Sequence, residues 1–376
     1  HITPEFDRRA VRFEYQLSEI AKKIAFDISF QGTAAANLTV APQSCKGSVT
    51  IGLDQTGLQA WNFQEDLAWT PENPRLFDAK ITVYGENGTT DRVDTYFGMR
   101  KVSIENGRFL LNNREYYQKL VLDQGYWEQS LLTAPSDEDF IKDIRLTKAM
   151  GFNGVRKHQK VEDPRYLYHA DRLGLLVWGE IGAAYVYSRE YAHRIYSEWM
   201  EAVERDYNHP CIVAWTPLNE SWGVPEIKVD RQQQAHCNAL MYMTKSVDDT
   251  RVVMDNDGWE HTCGDLLTIH DYSPSGEKLR KHFESMESVL TMTPGGRSLF
   301  ADGYGYRGQP ILVTEFGGVK YAELTRAILD SPLIQGYCYT QLTDVENEEN
   351  GLLTYHRDIK IPLDTIRKIN EGTWEG

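Results

Sequence analysis

Paired cysteines are missing from this sequence. Its five cysteines, Cys45, Cys211, Cys237, Cys263 and Cys338, are an odd number with no CxxC spacing. Neither a disulfide framework nor a cysteine-based zinc site is therefore indicated. Cys211 and Cys338 fall inside apolar, strand-like runs, where a buried small hydrophobe is the natural reading. Also missing are a basic-then-apolar leader and any apolar run long enough to span a bilayer. A reducing, cytoplasmic setting is the default expectation, although a trimmed leader would leave the same sequence. Positive charge is scarce as well: 40 Lys and Arg stand against 55 Asp and Glu, a net charge of −15. Nucleic acid and anionic membrane surfaces attract basic patches, so neither is expected as a partner.

What is present is enough apolar residue for a large core, 41% of 376 positions. Length alone suggests two or three domains. Residues 1–98 read as all-β, with alternating or apolar runs at 11–17, 24–30, 48–53, 77–84 and 92–97. Turn clusters such as Gly85-Glu86-Asn87-Gly88 separate them. Short strands at this spacing suggest a small immunoglobulin-like sandwich. From residue 99 to 376 the pattern becomes strand, helix, strand. Ser136 followed by Asp137-Glu138-Asp139 offers an N-cap and an acidic first turn, and Pro164 and Gly174 bracket another helix. Eight such strands are expected, and alternation of this length means a parallel sheet closed as a (β/α)8 barrel.

Two of those strands stand out. Cys211-Ile212-Val213-Ala214-Trp215-Thr216-Pro217-Leu218-Asn219-Glu220 runs apolar until Pro217, which cannot donate to a central ladder. Glu220 then lies at the strand's C-terminal end between two indoles, Trp215 and Trp222. A poorly solvated carboxyl favours its neutral form, as a general acid must. Pro310-Ile311-Leu312-Val313-Thr314-Glu315-Phe316-Gly317-Gly318 is again an apolar strand ending in a lone Glu. Asp123, Arg156, His158, Glu180, Asn219, Asp255, His270 and Asp271 fall at strand ends too, on the face where such barrels keep their active sites. Two carboxylates there, one neutral and one ionised, are the minimum for cleaving a glycosidic bond.

With Trp215-Thr216-Pro217-Leu218-Asn219-Glu220-Ser221-Trp222-Gly223 and Val313-Thr314-Glu315-Phe316-Gly317-Gly318, the chain resembles glycoside hydrolase family 2, the family of β-galactosidases, β-glucuronidases and β-mannosidases. The resemblance takes residues 1–98 as the family's immunoglobulin-like domain and 99–376 as its catalytic barrel. The family's amino-terminal sugar-binding jelly roll has no counterpart in this sequence, which implies a truncated or a minimal member. The resemblance makes Glu220, after Asn at the end of the fourth barrel strand, the acid/base. Glu315, ending the seventh, is the nucleophile of a retaining hydrolysis, which asks for carboxyl groups about 5–5.5 Å apart. Asn219 would meet the sugar 2-hydroxyl and Arg156 would orient Glu315. His158, Asp123, His270 and Asp271 would take sugar hydroxyls, and Trp259 and Tyr272 would offer stacking faces. No cofactor and no metal is required by any step. Family members are often oligomers, and the sequence exposes no interface that commits this chain to one.

In glucuronidases of the family, an Asn and a Lys before a Gly grip the substrate carboxylate. Here Glu348 and Asn350 precede Gly351. A carboxylate facing a carboxylate repels, so a neutral β-linked sugar such as galactose is expected, with glucuronide and other β-glycosides as alternatives within the same chemistry. A catalytically silent carbohydrate-binding barrel is the alternative outside enzymes. Unrelated barrel chemistries fit less well. Lys157, the strand-end lysine, sits between Arg156 and His158 rather than in an apolar pocket, and His158 and His270 form no HxH pair.

Overall fold

The computed structural model describes residues 1–53 and 57–374. Its first part is two antiparallel sheets face to face. One orders as β1 (Ile2–Glu5), β2 (Ala10–Gln16), β5 (Lys46–Gly52). The other orders as β4 (Thr33–Val40), β3 (Lys23–Phe30), β6 (Phe77–Tyr84), β7 (Thr90–Phe97). Alternation decides which side chains go in: Ile24, Phe26, Ile28 and Phe30 of β3 are buried while Lys23 and Asp27 face out. Phe77 and Phe97, paired across β6 and β7, stack at 5.2 Å, and Phe13 meets Phe26 at 5.3 Å.

The sequence runs anticipated β2, β3, β5, β6 and β7 but not β1 or β4. β1 is four residues with a proline. β4 is alanine-rich and mostly exposed, so neither propensity nor burial marks it. Its real signal is the turn. Gln31 and Gly32 both take left-handed φ, 49° and 80°, and close a two-residue hairpin between Phe30 and Thr33. The same device builds a small three-stranded sheet, β8 (Val102–Glu105), β9 (Arg108–Leu111) and β10 (Arg114–Glu115), through Asn106-Gly107 and Asn112-Asn113, all at positive φ. This sheet docks below the barrel: Gln335, at the start of the eighth barrel strand, accepts from the Phe109 amide at 3.2 Å and donates to the Gly107 carbonyl at 2.6 Å.

The barrel strands are β11 (Gln118–Asp123), β12 (Gly154–Lys157), β13 (Leu176–Glu180), β14 (Ile212–Thr216), β15 (Val252–Val253), β16 (Leu267–His270), β17 (Ile311–Phe316) and β18 (Ile334–Tyr339). All are parallel, in the order β15-β14-β13-β12-β11-β18-β17-β16. They are buried almost throughout, which is why they read as unbroken apolar runs. Between β15 and β16 there is no ladder. The seam is closed beyond β15, where the His270 amide donates to the Gly258 carbonyl at 3.4 Å and the Gly258 amide to Thr268 Oγ1 at 3.3 Å. Cys211 and Cys338 are fully buried in this core. No helix of the described residues is long and apolar enough to cross a membrane.

The two helices that the sequence marked with caps behave differently. Asp163 accepts from the Arg165 amide ahead of Pro164–Leu173, and Gly174 ends that helix at φ 74°. Ser136 does precede the helix Asp137–Ala149, but its hydroxyl donates to Asp139 at 2.7 Å instead of capping a backbone amide.

One of the fastenings between the sandwich and the barrel is a buried carboxylate. Asp171 accepts from the Tyr96 hydroxyl at 2.7 Å, from the Cys211 amide at 2.9 Å and from His209 Nδ1 at 2.6 Å, while its carbonyl takes the Trp69 indole N–H at 2.8 Å. Burial, then the charge of Asp171, pushes the Tyr96 hydroxyl far up, so it stays a donor. Asp171→Ala leaves several of these donors buried without an acceptor. It is expected to cost about 3 kcal/mol of stability, and Tyr96→Phe about 1 kcal/mol, both read by urea denaturation.

Candidate active site

Pro217 ends β14 as expected, and the chain then turns sharply. Glu220 and Ser221 both adopt left-handed backbone, φ 51° and 60°, a conformation that costs non-glycine residues energy and persists only when neighbours fix it. Here they do. The Glu220 amide donates to the Asp257 carbonyl and the Ser221 amide to Asn256 Oδ1, both at 2.9 Å, and the Ser221 hydroxyl donates to Glu260 at 2.6 Å. The turn aims Glu220 toward the barrel axis. The flanking indoles do not sandwich it, contrary to the sequence expectation. Trp215 lies in the core with its N–H on Asp248 at 2.8 Å, and Trp222 is exposed against Tyr185. Trp259 is the indole that lines a cavity with Glu220.

At the centre is Arg156, fully buried on β12. Its Nε donates to Glu180 at 2.8 Å, one terminal nitrogen lies 2.9 Å from both Glu315 and Asp257, and the other donates to Asn219 Oδ1 at 2.6 Å. Burial opposes its charge, but Asp257, Glu180 and Glu315 more than restore it, so the guanidinium is held firmly cationic. Two strand ends and the segments following two other strands therefore converge on one side chain, and among the described residues Asn219 Nδ2 has no hydrogen-bond partner.

Glu315, at the end of β17, is 5% exposed. It takes Arg156 on one oxygen and the Tyr272 hydroxyl, at 2.5 Å, on the other. Burial alone would raise its pKa. The charges of His270, Arg156 and His158 and the Tyr272 hydrogen bond outweigh that and hold the carboxyl down at about 2. His270 stands between the two glutamates: Nδ1 is 2.7 Å from Glu220 Oε1 and 3.6 Å from Glu315 Oε2, and Nε2 is 3.3 Å from Asp257. Burial works against its charge, but Glu315 and Asp257 keep the imidazole protonated, with its pKa raised to about 10. Gly258 makes room for this ring. At φ 106°, a Cβ there would lie 2.7 Å from His270 Nδ1. Ligand atoms of Glu220, His270 and Glu315 all fall within 4.8 Å of one another. That spacing would suit a cation, which would have to displace the proton from the imidazole.

The other sequence candidates divide. His158, with Nδ1 at 3.4 Å from Glu180 and 3.9 Å from Glu315, joins the cluster. Asp123 turns into the barrel wall, where Lys157 at 2.5 Å and the Gly125 amide at 2.8 Å occupy its oxygens. Asp271 holds His282 at 2.6 Å and the Ser273 amide at 3.0 Å. Tyr272, expected as a stacking face, brings its hydroxyl to Glu315 and to Thr340 Oγ1 at 3.1 Å. Beyond Thr340, the Gln341 amide donates to Glu348 at 2.7 Å and to Asn350 at 3.0 Å, and Gln124 also donates to Glu348 at 2.8 Å. Sequence reading chose Asp255 over Asp257. Asp255 is turned onto His261 and Thr262, whereas Asp257 faces Arg156. The regular strand ends at Val253, so alternation no longer tells which aspartate points inward.

A cavity of 740 Å³ opens beside Glu220. Trp259, His270, Asp271, Tyr272 and the segment from Ser273 to Gly296 wall it in.

Known proteins resemble this chain in both of its parts. The model of the TIM barrel domain of glycosyl hydrolases family 2 matches residues 102–325, and a second model of glycosyl hydrolases family 2 matches residues 1–100. A β-galactosidase of Vibrio vulnificus strain CMCP6 is 30% identical over 219 residues, 56% of this chain and 20% of that protein. A β-glucuronidase of Streptococcus agalactiae is 27% identical over 172 residues, 40% of this chain and 28% of that protein. The matched stretch thus spans only 20% to 28% of these curated relatives. Among solved structures, a β-galacturonidase of Eisenbergiella tayi superposes with a TM-score of 0.77 at 17% identity, covering 99% of this chain and 71% of that one. A Bacteroides uniformis β-glucuronidase gives 0.75 at 18% identity, covering 96% and 48%. At such identities the likeness is one of fold, and it extends over sandwich and barrel together. With its barrel model covering more than half of its residues, the chain belongs to glycosyl hydrolase family 2.

Proposed function

We propose that this chain is a retaining exo-β-glycosidase that removes a terminal, neutral β-linked sugar, with galactose as the leading candidate. The observation that carries the reading is the pair Glu220 and Glu315, whose carboxylate oxygens lie within 4.8 Å of each other. That separation suits direct attack by one carboxylate and leaves no room for the water of an inverting mechanism. Glu315, held ionised by Arg156 and Tyr272, attacks the anomeric carbon and forms a glycosyl ester. Glu220 protonates the departing oxygen and then takes a proton from the incoming water. The sugar must displace His270 from Glu220, because the bond to be cleaved lies between the two glutamates. Asn219 Nδ2, free while Oδ1 is fixed by Arg156, is placed to donate to the sugar 2-hydroxyl.

The choice of a neutral sugar rests on Glu348. Its carboxylate is tied through Gln341 and Thr340 to the Tyr272–Glu315 pair, so it borders the terminal sugar's side of the site. Glu348 is exposed, so solvent screens part of its charge, but a uronate bound there would still meet like charge rather than a cation. The Vibrio relative's name agrees with this choice. The streptococcal relative and the solved neighbours, named for uronides, do not.

Hydrolysis of aryl β-galactoside, glucoside, mannoside, arabinopyranoside and glucuronide tests the sugar. The galactoside should be cleaved at least tenfold faster than the glucuronide, and a glucuronide preference would overturn the reading of Glu348. Glu315→Gln should lower kcat by about four orders of magnitude on every substrate. Glu220→Gln should cost about 10²–10⁴ on alkyl glycosides, and far less on a dinitrophenyl glycoside, whose leaving group needs no proton. Equal losses on both would remove Glu220 from the acid role. Tyr272→Phe removes a hydrogen bond to the ionised form of Glu315 and so raises its pKa. The acid limb of kcat/KM, set far down the scale by a nucleophile near 2, should move to higher pH.

A further inference from the structure

The cavity beside Glu220 has a chemistry of its own. It is lined by Glu220 but not by Glu315, so it opens on the side of the proton donor, where the leaving group departs. Its far wall carries Lys278, Lys281 and His282 together with the hydroxyl residues Ser273, Ser288, Thr291 and Thr293. Only two carboxylates reach the cavity. Glu220 is the acid, and both oxygens of Asp271 are engaged by His282 and the Ser273 amide. Among the described residues, no carboxylate stands within salt-bridge distance of Lys278. Lys281 pairs only with Glu277 one turn away, at 2.9 Å, with side-chain exposures of 68% and 78%. An exposed pair of that kind is worth little and is readily exchanged for a ligand. The indole N–H of Trp259, in the same lining, is buried and without a hydrogen-bond partner, a donor that calls for an acceptor.

A chain of net charge −15 repels anions in general. Positive charge gathered on one wall of one cavity, with Lys278 free of any carboxylate among the described residues and Lys281 held only in an exposed pair, therefore marks the place where an anion is tolerated. We propose that this cavity is a leaving-group subsite for an acidic saccharide, one bearing a carboxylate or a sulfate on the residue to which the terminal sugar is joined. The assignment rests on the glycosidase reading and deepens it. The two ends of the substrate meet opposite electrostatics: the terminal sugar borders Glu348, and its neighbour borders Lys278 and Lys281. The substrate class is then a neutral sugar capping an acidic oligosaccharide. At 740 Å³ the cavity has the size of a small-ligand site and can house a saccharide unit with its charged group.

The test pairs turnover with binding. Galactosides with the same umbelliferyl leaving group, unmodified, carboxylated or sulfonated, are compared in the parent chain, in Lys278→Ala/Lys281→Ala and in Lys278→Arg/Lys281→Arg. The ratio of kcat/KM for an anionic over the neutral leaving group should fall about tenfold in the alanine variant, be kept in the arginine variant, and shrink with added salt. A gain shared by carboxylate and sulfonate points to charge alone, and a gain for one of them identifies the group. In parallel, calorimetric titration compares a neutral galactosyl disaccharide with its uronic-acid and sulfated counterparts, which needs no turnover. Tighter binding of the acidic saccharides, lost in the alanine variant, supports the subsite even where no glycoside is hydrolysed, a result that would sink the glycosidase reading alone. Equal affinity for neutral and acidic saccharides, or binding of neither, overturns the subsite whatever the turnover shows.

Discussion

A positive charge with no access to water organises this site. Arg156 is wholly buried, and an isolated guanidinium would be intolerable there. It is stable because Glu180, Asp257 and Glu315 surround it and Asn219 completes its hydrogen bonds. These partners sit at the ends of the third and seventh strands and in the segments following the fourth and fifth. Anchoring them to one planar cation fixes their relative positions to hydrogen-bond precision. The same contacts settle protonation. With Arg156 and a protonated His270 beside it, the Glu315 carboxyl is held well below the usual carboxylate range and is ionised near neutral pH.

The left-handed turn at Glu220 follows from the same anchoring. Two strained residues in a row are held by Asp257 and Asn256, and Asp257 is itself bound to Arg156 and to Thr314 at 2.7 Å. Backbone strain at Glu220 and charge at Glu315 are thus parts of one network. Stored strain of this kind persists only where the surroundings over-determine it.

The sequence made the large features readable because they depend on period and position. Unbroken apolar runs announced the barrel strands, and polar residues at their ends announced the face of the site, including Glu220, Glu315, Arg156 and His270. What escaped depended on geometry that has no period. Asp257 lies past the end of a two-residue strand, and Tyr272 contributes its hydroxyl rather than its ring face. The direction of the Trp215 and Trp222 side chains was set by core packing with Trp199 and by contact with Tyr185. β4 was hidden by weak strand propensity, although the Gln31-Gly32 turn that creates it was in plain view.

The seam between the fifth and sixth strands has a further implication. There the barrel closes through a loop glycine and a side-chain hydroxyl instead of a ladder. The segments leaving those two strands, Trp259 on one and Ser273 to Gly296 on the other, are the walls of the cavity beside the proton donor. Of the two candidate carboxylates, Glu315 ends a strand laddered on both sides, whereas the turn that carries Glu220 is held by Asn256, Asp257 and Glu260 of the seam segment itself. The inner part of the seam thus fixes Glu220, and its outer loop, Ser273 to Gly296, walls the cavity. That outer loop can be lengthened, recharged or reshaped by mutation while residues 256–260 keep the two glutamates in place, so descendants of such a chain can change what the cavity admits without disturbing its inner frame.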